Sequence, residues 1–211
     1  MATNAITLLK TDHGNVENLF TQFETASDGA YAEKRRIVDH IIEQLSRHAA
    51  VEEQIFYPAL RGIPDLHRTV LESLEEHHAA KLALGELEKL PANAERFDAK
   101  ATVLIENVRH HVEEEENELF PLVEKHIPFS DLQIMGEAME DLKKTAPSRP
   151  HPFMPDQPPF NVIVGVPAAV IDMGVKVGVS AARMAGAAIL QMSGLDRVTR
   201  QKTEEQVRKS A

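Results

Sequence analysis

Residues 48–58 read HAAVEEQIFYP, and residues 111–121 read HVEEEENELFP. Each stretch places a Glu four residues after a His and ends on a Pro ten positions after it. On a helix, side chains three and four apart share a face. Ile37, Ile41, Leu45, His48, Glu52 and Phe56 form one such stripe. Leu104, Val108, His111, Glu115 and Leu122 form another. Glu52 and Glu115 are therefore expected to point inward, beside His48 and His111. A carboxylate buried in an apolar core is costly unless it is paired or coordinated. The stripes carry no Arg, and Lys81 is the one cation expected near them. A bound metal removes the cost, and imidazole with carboxylate suits iron, zinc or manganese.

Working outward, Leu9, His13, Val16 and Phe20 share a face before the first stretch. Val70, Leu74, His77 and Leu84 share one before the second. His13 precedes His48 by 35 residues, and His77 precedes His111 by 34. The unit of one His, then His-x3-Glu on the next helix, thus occurs twice. Two helical hairpins packed with approximate two-fold symmetry would bring four His and two Glu together. That suits two metals, with one His pair for each and the two Glu bridging. A single His on an apolar stripe is ordinarily a satisfied core residue; four of them with two inward Glu reverse that reading. On the stripe alone, His78 with Leu71, Leu74 and Leu82 is as acceptable as His77. Glu53 and Glu116 read as exposed or as supports behind the ligands. Tyr57 is within reach of the site but reads rather as packing at a helix end, His110 as a neighbour of the site, and His40, His67, His126 and His151 as surface or helix-end residues.

Residues 4 to about 143 show helical spacing throughout. Helices are expected over 4–25, 31–60, 65–90 and 94–126, with a short fifth over 130–144. Turn and stop signals lie at Ser27-Asp28-Gly29, Arg61-Gly62-Ile63-Pro64, Leu90-Pro91 and Pro128. The expected fold is all-α: an up-down-up-down four-helix bundle over residues 1–145. Residues 146–160 (APSRPHPFMPDQPPF) contain six Pro and read as an extended linker. Residues 161–211 form a tail rich in Ala, Val and Gly. Its longest charge-free run, 157–171, falls short of the roughly 20 residues needed to span a bilayer. The tail reads as a helix packed on the bundle or mediating self-association, as a membrane-surface or partner-binding segment, or as disordered; the first is favoured.

The formal net charge is −10. Residues 147–211 carry eight Lys/Arg and five Asp/Glu, a net of +3, which leaves −13 on residues 1–146. So acidic a body argues against nucleic-acid binding by the main domain. The absence of Cys excludes disulfides, iron–sulfur clusters and thiolate zinc sites. The start shows no charged region followed by an apolar one, so the default location is cytoplasmic. A ferritin-type site needs Glu-x-x-His twice, and the bundle offers it once, at Glu75–His78. The hydrolytic zinc motif His-Glu-x-x-His does not occur.

The run DHGNV (12–16), the EHH at 76–78 and the two His-x3-Glu-Glu stretches resemble the motifs of the hemerythrin-like, or HHE cation-binding, family over residues 5 to about 125. The resemblance implies a bundle holding a pair of non-haem irons bridged by oxygen or hydroxide. It assigns His13 and His48 to one iron, His77 rather than His78 with His111 to the other, and Glu52 and Glu115 to the bridge. Lys81 stands where the oxygen-carrying members have a further His. This departure favours sensing, or peroxide and nitric-oxide chemistry, over reversible oxygen carriage. The expected function is binding or sensing of O2, peroxide or NO. Peroxide or NO processing would be its enzymatic form, and an iron-responsive interaction module is the alternative.

Overall fold

The computed structural model describes residues 4–152; the tail expected over 161–211 and the later part of the linker lie outside them. Five helices make up the described chain, and no strand occurs there. α1 spans Ala5–Thr25. α2 runs as Tyr31–Val51, a π-helical turn Glu52–Phe56 and a final turn Tyr57–Leu60. α3 spans Pro64–Lys89. α4 runs as Phe97–Glu114, a π-helical turn Glu115–Leu119 and Phe120–His126. α5 spans Phe129–Thr145. The boundaries follow local chemistry. Asn4 caps α1, its side chain accepting from the N–H of Thr7 at 2.8 Å. Gly29 supplies the left-handed turn into α2 with φ 82. Pro64 opens α3, where its missing N–H is not needed.

The two π turns share a cause. Pro58 and Pro121 lie inside otherwise continuous helices. In an α-helix each ring would clash with the carbonyl four residues back and leave that carbonyl without a donor. Those carbonyls belong to Gln54 and Asn117, inside the widened turns. There the N–H of Tyr57 reaches back to the carbonyl of Glu52, and that of Phe120 to Glu115, each five residues earlier.

The apolar core has two halves. One holds Leu9, Val51, Phe56, Leu74, Leu119 and Phe120. The other holds Val16, Phe20, Leu45, Leu84, Phe97 and Val108. Every long helix crosses from one half to the other at its metal-capable residues. α1 passes from Leu9 through His13 to Val16, and α2 returns from Leu45 through His48 and Glu52 to Phe56. α3 then goes from Leu74 through His77 to Leu84, and α4 returns from Val108 through His111 and Glu115 to Leu119. The alternation is the up-down-up-down bundle, and it leaves one polar layer between two greasy ones. Each buried Phe or Leu contributes roughly 1.5–3 kcal/mol, so the halves clamp the layer from both sides. α5 covers the first half with Leu132, Met135, Met139 and Leu142. The described part of the linker turns back along α3, where Arg149 pairs with Glu88 at 3.0 Å.

Candidate metal centre

His13, His48, Glu52, His77, His111 and Glu115 are all buried in the polar layer. His13 and His48 lie with ring centroids 4.9 Å apart, and His77 and His111 4.8 Å apart, both pairs at 64°. Each carboxylate touches one His of each pair. Glu52 Oε2 is 3.0 Å from His48 Nε2 and 3.3 Å from His77 Nε2. Glu115 Oε2 is 3.5 Å from His13 Nε2 and 3.7 Å from His111 Nε2. One donor atom from each of His13, His48, Glu52 and Glu115 falls within 4.8 Å of the others, as do those of Glu52, His77 and His111. His78 is half-buried and outside both groups.

Three of the four outward-facing imidazole nitrogens hydrogen-bond a carboxylate, the fourth faces one at longer range without a hydrogen bond, and these acids repeat the two-fold pattern. His13 Nδ1 lies 2.8 Å from Glu116, and His77 Nδ1 3.1 Å from Glu53. These Glu directly follow Glu115 and Glu52. His111 Nδ1 lies 2.8 Å from Glu76, and His48 Nδ1 3.7 Å from Asp12. These acids directly precede His77 and His13. An Nδ1–H held by a carboxylate leaves the Nε2 lone pair free for a cation and fixes the ring. Tyr57 donates its hydroxyl to Glu115 Oε1 at 2.8 Å, which fixes that carboxylate.

The charges explain the titration of the metal-free layer. Burial pushes the His48 imidazole down, but Glu52 beside it, with Asp12 and Glu115, outweighs burial and raises it to about 10. Burial opposes protonation of His77 too, yet Glu52 and Glu53 raise it to about 9. Glu52, whose burial favours the neutral acid, is held well below the ordinary range by His48 and His77. Even so, both oxygens of Glu52, Glu115 Oε2 and His13 Nε2 are buried without a hydrogen-bond partner. An unsatisfied buried polar group costs about 1–3 kcal/mol, and more when charged. These orphaned lone pairs converge on one place, which is the donor set a cation needs.

A cavity of about 280 Å³ adjoins the layer. Its inner wall is His13, His48, His77 and His111, its sides are Val16, Leu45, Leu84 and Val108, and Lys81 stands in its wall. Ala79, Asn107 and His110 are exposed on its rim. The space admits a small molecule and offers it little besides apolar surface and the histidines.

Of the two readings given for Glu53, the structure shows the support behind the ligands: it is buried and paired with Lys81 at 3.0 Å as well as with His77, because the π turn brings neighbouring Glu52 and Glu53 both toward the core. Two expectations need correction. Tyr57 does more than pack at a helix end, as its bond to Glu115 shows. Lys81 is not the one cation near the layer, since Lys143 of α5 pairs with Asp12. Asp12 and Glu76 are supports that the helical stripes alone do not single out. Their signal in the sequence is an acid directly before each lone His, in Asp12-His13 and Glu76-His77.

Comparison with known proteins agrees with this geometry. The family model for the hemerythrin HHE cation binding domain matches residues 4–123. An uncharacterised hemerythrin-like protein of Schizosaccharomyces pombe is 29% identical over 163 residues, covering 76% of this chain and 79% of that one. A DNA nickase of Nostoc is 26% identical over 120 residues, 57% of this chain but 33% of the nickase. The crystal structure of a hemerythrin HHE cation binding domain-containing protein from Mycobacterium kansasii superposes with a TM-score of 0.59. It covers 67% of this chain and 86% of its own at 22% identity, and so shows the shared fold.

Proposed function

Because the chain belongs to the hemerythrin HHE cation-binding domain family, we propose that it is a non-haem di-iron protein that binds or senses O2, peroxide or NO. The observation that carries this reading is the pair of buried carboxylates, each reaching one imidazole of both His pairs while keeping oxygens without a hydrogen-bond partner. His13 and His48 would hold one ion, His77 and His111 the other, and Glu52 and Glu115 both. Iron in that position would supply an open coordination site for a small ligand and one-electron redox steps.

The chain's own groups prepare that chemistry. The carboxylates hydrogen-bonded to Nδ1 keep Nε2 of His13, His77 and His111 aimed at the centre. Tyr57 holds Glu115 in one rotamer and carries a hydroxyl proton beside the layer; burial first, then Glu115 and Glu52, keep that proton on well above the ordinary range. Val16, Leu45, Leu84 and Val108 make the sides of the cavity apolar, and Lys81 sets a cation beside it. Processing of peroxide or NO is the enzymatic form of the same site. The charge of −13 on residues 1–146 argues against carrying DNA binding over from the nickase.

One observation favours a second reading, an iron-responsive interaction module. Lys143 ties α5, the element that leads into the tail, to Asp12 and thereby to His48. In that version metal occupancy sets the stability of the bundle and the exposure of the chain beyond α5.

Metal content and the optical spectrum of iron-grown protein test the first reading. About two irons per chain with near-ultraviolet charge-transfer absorption, both lost in His48→Ala and in Glu115→Ala, is the expected result. A folded protein that takes up no metal would overturn it. Melting of loaded and stripped protein tests the second, which fails if stripping changes neither the melting temperature nor protease cleavage after α5.

A further inference from the structure

The mouth of the cavity carries another set of metal-capable side chains. Glu76 on α3 and His110 and Glu114 on α4 each bring one donor atom within 4.8 Å of the others. None of the three belongs to the buried six. His110 Nε2 lies 3.3 Å from Glu114 Oε1, one turn away on the same helix. The side chains of Glu76, Glu114 and His110 are 30%, 40% and 66% exposed, so an ion reaches them from water. Glu76 and His110 also line the cavity whose inner wall includes His77 and His111. Glu76 joins the two places directly, because its Oε2 holds Nδ1 of the buried His111 at 2.8 Å.

We propose that Glu76, His110 and Glu114 form a peripheral site for a divalent first-row cation, from which the buried centre is loaded. Two carboxylates and one imidazole are nitrogen and oxygen donors suited to such ions. Half exposed and completed by water, the site holds an ion loosely enough to release it. A hydrated ion entering the cavity must shed water against apolar walls, which is unfavourable until protein donors replace that water. The rim trio offers the first donors, and His77 and His111 offer the next. The acidic body raises the local concentration of cations at this mouth. The loading role rests on the metal reading of the buried centre, whereas the peripheral site does not.

Titration of the native chain, His110→Ala and Glu114→Gln with cobalt(II), by calorimetry and visible absorption, tests this. The side chains of His110 and Glu114 reach solvent and belong to neither half of the apolar core, so both variants keep the fold. The native chain is expected to bind one weaker equivalent that both variants lose, and its buried centre to fill several-fold faster than theirs. Equal stoichiometry in all three, or equal filling rates, would overturn the proposal. A buried centre that stays empty in all three would sink the di-iron reading and the loading role with it. The one-equivalent difference would then still read the peripheral site by itself.

Discussion

Lys143 of α5 forms an ion pair with Asp12 of α1, and Asp12 faces Nδ1 of His48 across 3.7 Å. Burial works against ionisation of Asp12, but His48 and Lys143 together hold its carboxyl below the ordinary range. A helix outside the four-helix bundle thus supports the metal layer through one carboxylate. Removing such a support typically weakens metal binding by roughly 10–100-fold. Lys143→Met, which keeps the carboxylate, is expected near the lower end, about tenfold by chelator competition. Lys144→Met is the control, since Lys144 pairs with Asp141 at the surface. Equal affinities in the two variants would show that α5 does not support the centre.

Glu53 and Glu116 occupy equivalent places in the two repeats but unequal surroundings. The Glu116 side chain is 32% exposed, whereas that of Glu53 is 8% exposed and also neutralises Lys81. Glu53→Gln removes the buried carboxylate that Lys81 and Nδ1 of His77 share, and breaking a buried pair costs about 3–5 kcal/mol. Glu116→Gln is expected to cost well under half as much, because water reaches that position. Thermal melts of the metal-free proteins check the order, and equal losses in the two single variants would contradict it.

The sequence carried the fold because each helix shows one uninterrupted stripe, and Gly29, Pro64, Pro91 and Pro128 mark the turns. It carried the six central residues because the His-x3-Glu unit occurs twice at nearly equal spacing. It left Glu53 and Glu116 open between exposed and supporting, and did not single out Asp12 and Glu76. Whether Glu53 is buried or exposed depends on the angle between neighbouring residues in the turn, and a strict α-helical stripe turns Glu53 away from Glu52. The π turn changes that angle, and its signal in the sequence is a Pro inside a helix, at 58 and at 121. Lys143 lies 131 residues from Asp12, and no local pattern joins them.

Stability of the metal-free protein should depend on pH through His48 and His77. Their folded values, about 10 and about 9, lie above the ordinary 6.5. Such groups stabilise the fold fully below pH 6.5, and the contribution falls as pH rises through 9 and then 10. Glu52 acts in the opposite sense, being lowered, so its contribution is lost as pH falls below 4.5. The metal-free melting temperature is therefore expected to peak near pH 5–6 and to decline toward pH 10. Metal binding at neutral pH must displace protons, so calorimetry in buffers of different ionisation enthalpy should show proton release. A flat profile between pH 6 and 10 would mean that these imidazoles are neutral in the metal-free layer.

The π turns connect the prolines to the placement of the ligands. If Pro121 forces the widened turn, Pro121→Ala removes the reason for it. Alanine restores the N–H, frees the carbonyl of Asn117 from the ring, and is intrinsically about 3 kcal/mol better than proline inside a helix. An ordinary α-helical turn would then become available across Glu115–Leu119. Its neighbours stand about 100° apart, which separates Glu115 from Glu116 more than the π turn does. Glu115 would no longer face His13 and His111 while Glu116 supports His13. The variant is expected to melt no lower than the native chain without metal, yet to bind metal more weakly. Those opposite signs distinguish a misplaced ligand from a damaged fold, which would lower both. Unchanged affinity would show that packing of Leu119 and Phe120 in the core, rather than the proline, sets the turn.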